Sequence, residues 1–138
     1  MQPNAELADL IVRMYAMFES GSVAAAETLL SHEPGVIGIG TDPAEWWPGG
    51  ALGAAFRAQI PEMHMAGMRF RAGNVTAFSE GTIGWVADQP TLVLSDSNQV
   101  PMRLTAVLRR EADTWRMVQF HLSIGVSNEA ALGTELTT

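Results

Sequence analysis

Apolar side chains in the first part of the chain recur at helical spacing. Leu7, Leu10, Ile11, Met14, Tyr15 and Phe18 make one stripe, which predicts a helix laid on a core. Ser20-Gly21-Ser22 ends it, and Ser22 can cap a second, shorter helix carrying Ala25, Ala26, Leu29 and Leu30. His32-Glu33-Pro34-Gly35 is a breaker, and Val36-Ile37-Gly38-Ile39-Gly40 reads as a short strand. Gly49-Gly50 opens a third helical stretch through about Ile60, where Pro61 is expected to interrupt it.

From Met68 the period changes to that of long strands joined by tight turns. Four strands are expected, Met68–Phe78, Thr82–Leu94, Val100–Arg110 and Trp115–Val126, with turns at Glu80-Gly81, Ser95-Asp96-Ser97-Asn98 and Glu111-Ala112-Asp113-Thr114. Pro90 cannot donate to a ladder, so the second strand should bulge or bend there. Helices first and an antiparallel meander after them make an α+β chain, not a βαβ parallel sheet. Residues 1–138 read as one domain, with 127–138 as a helical turn or a loose tail.

Alternation along the last strand sends Val118, Phe120, Leu122 and Ile124 to one face and Trp115, Met117, Gln119, His121 and Ser123 to the other. Neither face suits free water, so helices should cover one and a second subunit the other. With a two- or four-residue hairpin loop, Arg110 pairs with Trp115. Arg103, Thr105 and Val107 then share the Phe120 face, while Leu104, Ala106 and Leu108 join His121. A three-residue loop swaps the two sets.

Composition narrows the partners. The net charge is −7, and the basic residues are all Arg, scattered singly except for Arg109-Arg110. With no basic stripe to follow phosphates, neither nucleic acid nor an anionic membrane surface is an expected partner. The absence of Cys removes disulfides, thiol nucleophiles and thiolate metal sites; the absence of Lys removes side-chain Schiff bases. No apolar run spans a bilayer, and Met1–Glu6 lacks the features of a signal peptide, so a cytoplasmic protein is expected.

Two stretches carry a family resemblance. Gly40-Thr41-Asp42-Pro43-Ala44-Glu45-Trp46-Trp47-Pro48-Gly49 resembles the strand-to-helix junction of SnoaL-like proteins. Trp115-Arg116-Met117-Val118-Gln119-Phe120-His121-Leu122-Ser123 is similar to the final strand of that group, which includes the association domain of calcium/calmodulin-dependent kinases. The order of elements resembles the cone-shaped nuclear transport factor 2-like fold, with N-terminal helices packed on a curved antiparallel sheet. That resemblance implies a pocket between helices and concave sheet, and dimerisation through the other side. It places Ile83, Trp85, Ala87, Thr105, Phe120 and Leu122 on the cavity wall. The kinase association domain has arginines in its pocket; the positions that look equivalent here are Ala87, Thr105 and Leu122. None is basic, which implies a neutral, apolar ligand rather than an anion, with Arg103 as a positive group near the mouth.

The candidate chemistry is sparse. Asp42 stands where ketosteroid-isomerase-like relatives keep a catalytic carboxylate, yet Asp42-Pro43-Ala44-Glu45 also reads as a helix capping box. Tyr15 matches the helix-one Tyr that such relatives turn on a developing enolate, and a buried Tyr seeks a partner in any core. The isomerase pattern also asks for a protonated acid on Val100–Arg110; that strand holds no carboxylate, and Thr105 is the nearest polar inward residue. His64 is expected near the pocket mouth, His121 in the subunit interface and His32 in an exposed turn. Three isolated His residues without paired spacing argue against metal, and no cofactor is expected. Trp46, Trp47 and Trp85 form either an aromatic wall or core, and Met63, Met65 and Met68 an adaptable apolar cluster.

Three functional readings result. The first is a homodimeric SnoaL-like protein binding a small, mostly apolar molecule through Tyr15, Trp46, Trp47, Trp85, Ala87, Arg103, Thr105, Phe120 and Leu122. The second is a cofactor-free isomerase, dehydratase or cyclase working by proton transfer, with Asp42, Tyr15 and His64 as catalytic candidates. The third is a non-catalytic dimerisation module whose cone is filled.

Overall fold

The N-terminal stripe folds as its spacing predicts. In the computed structural model, which describes residues 1–138, β1 (Gln2–Pro3) leads into α1 (Ala5–Ser20), whose buried side is Leu7, Leu10, Ile11, Met14, Tyr15 and Phe18. The Asn4 side chain caps α1 by accepting from the Leu7 amide at 3.2 Å, satisfying a donor that the first helical turn cannot. α2 (Val23–Leu29) follows; Ser22 occupies its N-cap position without making the side-chain bond expected of it.

The next segment departs from expectation twice. The Asp42–Glu45 turn does form reciprocal bonds, Ala44 amide to Asp42 Oδ1 and Asp42 amide to Glu45 Oε1, both at 2.8 Å. No helix begins there, however. The chain continues as β3 (Trp46–Pro48), paired antiparallel with β2 (Ile37–Ile39), and α3 (Gly50–Met65) starts only afterwards. α3 also runs through Pro61 to Met65. A proline removes one helical bond, and the turn beyond it is held by Met63 packing on the core and by His64.

Two of the expected strands each divide into a pair. The first becomes β4 (Arg69–Arg71) and β5 (Thr76–Glu80); the second becomes β6 (Ile83–Asp88) and β7 (Thr91–Val93), bent at Pro90 as expected. The breaks touch, since a side chain on Gly73 would collide with the Gln89 carbonyl. β8 (Gln99–Glu111) and β9 (Thr114–Ile124) complete the sheet, and the exposed α4 (Asn128–Leu132) follows. The sheet order is β1-β5-β6-β8-β9-β2-β3, with β4 and β7 continuing beside the first part of β8. β2 runs parallel to β9, so this curved, unclosed sheet is mixed and not purely antiparallel.

The β8–β9 hairpin decides which side chains face the helices. Arg110 pairs with Trp115 across the two-residue loop Ala112-Asp113, whose φ values of 46° and 66° suit a tight hairpin. Leu108 then pairs with Met117 but Val107 with Gln119, leaving Val118 as the extra residue of a bulge. The bulge breaks the alternation: Trp115 and Met117 are buried on one side of it, and Phe120 on the other. Opposite Met117, Phe120 and Leu122 on β8 stand the buried Leu108, Ala106 and Leu104, while Arg103, Thr105 and His121 lie on the outer face. The expected grouping of Thr105 with Phe120 is thereby reversed. β6 keeps the same phase, with Gly84, Val86 and Asp88 inward and Ile83, Trp85 and Ala87 outward.

At the hairpin end, Glu111 Oε1 accepts from Ser31 Oγ at 2.6 Å and from Arg109 Nη2 at 2.7 Å, with Arg116 beyond. This ties β8 to the segment that leaves α2.

Candidate functional site

Between α1, α3 and the concave face lies a cavity of about 220 Å³, and thirteen of its seventeen lining residues are hydrophobic. α1 contributes Met14, Tyr15 and Phe18; α3 contributes Phe56, Gln59 and Met63; β8 and β9 contribute Met102, Leu104, Phe120 and Leu122. The rings brace one another edge to face. Phe18 meets Phe56 at 5.3 Å and Phe70 at 5.7 Å, Phe56 meets Phe120 at 5.6 Å, and Tyr15 tilts over Phe70 at 5.4 Å. Such pairs add about 0.5–1.5 kcal/mol each beyond area burial, so they stiffen this wall.

Polar groups meet the cavity in two places. On α1, Tyr15 Oη donates to Asp88 Oδ2 at 2.8 Å, and the Gly73 amide donates to the same oxygen at 3.2 Å. Asp88 is only 5% exposed, and its Oδ1 has no hydrogen-bond partner. Burial, and then the hydrogen bond and charge of Asp88, push the Tyr15 phenol well above its ordinary pKa of 10.0. Tyr15 is therefore a protonated donor whose proton is already committed. At the β2–β3 turn, Glu45 Oε2 accepts from Gln59 Nε2 at 2.8 Å, while Oε1 accepts from the Asp42 amide at 2.8 Å and Thr41 Oγ1 at 3.3 Å. Gly40 has no room for a side chain beside Glu45. Neither Asp88 nor Glu45 belongs to any of the four ion pairs of the chain.

Among the residues singled out from sequence, Tyr15, Trp47, Phe120, Leu122, Met63 and Met68 meet on the cavity wall. Trp46 and Met65 instead point to solvent, 61% and 86% exposed. Ile83, Trp85, Ala87, Arg103 and Thr105 stand on the outer face because the bulge sets the opposite phase; Arg103 borders a shallow groove with Pro90 and Ile124. Asp42 is exposed and bonded to its own turn. The exposed His64 donates from Nδ1 to the Glu19 carbonyl at 2.7 Å, stapling the end of α3 to the end of α1. His121 faces away from Phe120, as expected, and His32 is exposed. No three His, Asp or Glu side chains gather into a cluster that could hold a metal ion.

Sequence reasoning missed Asp88 and Glu45. An acid does face Tyr15, but it comes from β6 and not from β8. Its signal is the inward series Gly84, Val86, Asp88, which the greasier series Ile83, Trp85, Ala87 conceals. Glu45 was hidden by its place in the apparent capping box.

No helix of the chain is long and apolar enough to cross a membrane. No functionally curated protein matches the sequence. Solved structures do match the fold. An NTF2-like protein of unknown function from Pseudomonas putida superposes with TM-score 0.79 at 19% identity, over 91% of this chain and 89% of that one. A chain from Thiobacillus denitrificans, provisionally named a calcium/calmodulin-dependent protein kinase type II association domain, gives 0.70 at 24% identity over 91% and 98%. A protein of the NTF2-like family from Streptomyces avermitilis, provisionally named a dehydratase, gives 0.74 at 15% identity over 89% and 94%. At these identities the likeness is one of fold. The sequence profile described as "SnoaL-like domain" matches residues 7–127, nearly all of the helices and sheet described above, and the chain accordingly belongs to the SnoaL-like family.

Proposed function

We propose that this protein binds a compact, mostly apolar small molecule in the cavity between α1, α3 and the sheet, as a cytoplasmic homodimer. The cavity carries the reading: an aromatic enclosure of about 220 Å³ with a few fixed polar groups. That is below the ~300–1,000 Å³ of drug-sized sites, which suits a small ligand. Dimerisation is supported by the outer face, where Phe78 and Trp85 stack at 6.4 Å beside Ile83, itself 40% exposed, and no helix covers them. Native mass spectrometry of the purified protein should record a dimer with added small-molecule mass. Leu122→Arg should abolish the added mass, because the longer side chain would fill the space a ligand needs. Identical loading of Leu122→Arg would mean that the ligand lies elsewhere.

Proton-transfer catalysis is the second reading, favoured by Tyr15 and Asp88 bonded at one side of the cavity with Glu45 at another. In that reading Glu45 replaces Asp42 as the carboxylate within reach of a substrate, and His64 has no part. An isomerase, dehydratase or cyclase of this kind should show a pH–rate profile with at least one limb on an enolisable substrate. Full turnover in both Tyr15→Phe and Glu45→Gln would eliminate it.

A further inference from the structure

We infer that the preferred occupant of the cavity is an organic ammonium ion, its apolar body among the aromatic rings and its charge against Glu45. The inference rests on the reading of this cavity as a ligand site and adds the sign of the ligand's charge. Among the lining residues Glu45 is the one acidic side chain, and no Arg or His stands among them. A carboxylate offers about four acceptor positions. Three on Glu45 are filled by uncharged donors, the Asp42 amide, Thr41 and Gln59, so its charge is held in place but not neutralised.

The second polar group points the same way. Tyr15 keeps its proton in a hydrogen bond donated to Asp88, so its hydroxyl has only lone pairs left to offer an occupant. Apart from the second amide hydrogen of Gln59, the site thus presents acceptors where an anion would need donors. Its aromatic walls supply ring faces, which attract a cation lying within about 6 Å. A ligand carboxylate would face Glu45 without a countercharge, in a site that removes much of its water.

The experiment is calorimetric titration of the native protein with hexylammonium, hexanol and hexanoate, which share one apolar chain. Hexylammonium should bind about ten-fold tighter than hexanol, and hexanoate weakest of the three. Salt should erode the advantage of the ammonium and leave hexanol unmoved. Glu45→Gln, which keeps the shape and acceptor of the turn, should bring hexylammonium down to the affinity of hexanol and leave hexanol unchanged. Hexanoate binding as well as hexylammonium would overturn the inference, as would a preference that survives Glu45→Gln. Equal binding of hexanol and hexylammonium would overturn it while leaving the cavity reading intact. Binding by none of the three would overturn both. Should Glu45→Gln fail to fold, the ranking and its salt dependence on the native protein decide alone.

Discussion

On its inner side β6 presents Gly84, Val86 and Asp88; on its outer side it presents Ile83, Trp85 and Ala87. Hydrophobicity alone would assign these sides the other way round. The helix-covered side carries the smaller residues because the helices press close: Leu7 of α1 occupies the space a side chain on Gly84 would need, as Leu52 of α3 does over Gly38. Bulk is left for the face that no helix reaches. An inner face is thus chosen for fit, and the two faces are told apart by volume as much as by polarity.

The comparison breaks most severely at the bulge. Deleting Val118 would restore strict alternation in β9 and turn out either Trp115 and Met117 or Phe120 and Leu122. The expected loss exceeds about 4 kcal/mol in urea denaturation, beyond ordinary substitutions. A deletion variant as stable as its parent would show that the bulge does not set the faces. Next, Leu104→Ala on the inner face should lose about 2–5 kcal/mol, while Thr105→Ala beside it should stay within about 0.5 kcal/mol. Similar losses at both positions would erase the distinction between the faces. Tyr15→Phe withdraws one of two donors from buried Asp88 and should lower stability by about 1–3 kcal/mol. If the proposed dimer forms through the outer face, Trp85→Ser should change unfolding of the subunit little yet shift dimer toward monomer in sedimentation velocity; an unaltered dimer would rule that face out as the interface.

The smallest effect lies at the hairpin end. The Ser31 hydrogen bond, and after it Arg109 and Arg116, hold the Glu111 carboxyl below its ordinary 4.5, against an opposing effect of burial. A depressed carboxyl stabilises the fold above its unfolded pKa, and that contribution disappears as pH falls through the folded value. Acid titration of melting temperature should show this limb, and Glu111→Gln should flatten it.

What the sequence made legible was local. The α1 stripe, the Pro90 bend and the pairing of Arg110 with Trp115 depend on a few neighbouring residues, and each stands in the structure. The placement of Thr105, Ala87 and Trp85 failed because one unpaired residue, Val118, shifts the phase of half a strand without leaving a compositional trace. Trp46–Pro48 was not read as a strand because its partner is β2, which pairs it only after the turn at Asp42–Glu45 has reversed the chain. Glu45 and Asp88 escaped notice for a related reason: one looked like a cap, and the other belongs to Tyr15 only through a contact distant in sequence.

The position of β9 has a consequence for synthesis. It lies in the sheet between β8 and β2, and Gly38 of β2 sits beside its Phe120. A ribosome makes β2 (Ile37–Ile39) well before β9 (Thr114–Ile124), so β2 emerges long before the strand it is to join. Through that interval the aromatic side chains of α1 and α3 have no floor to rest on, and the open strand edges invite neighbouring chains. The enclosure is therefore incomplete until β9 brings Phe120 and Leu122 to its wall.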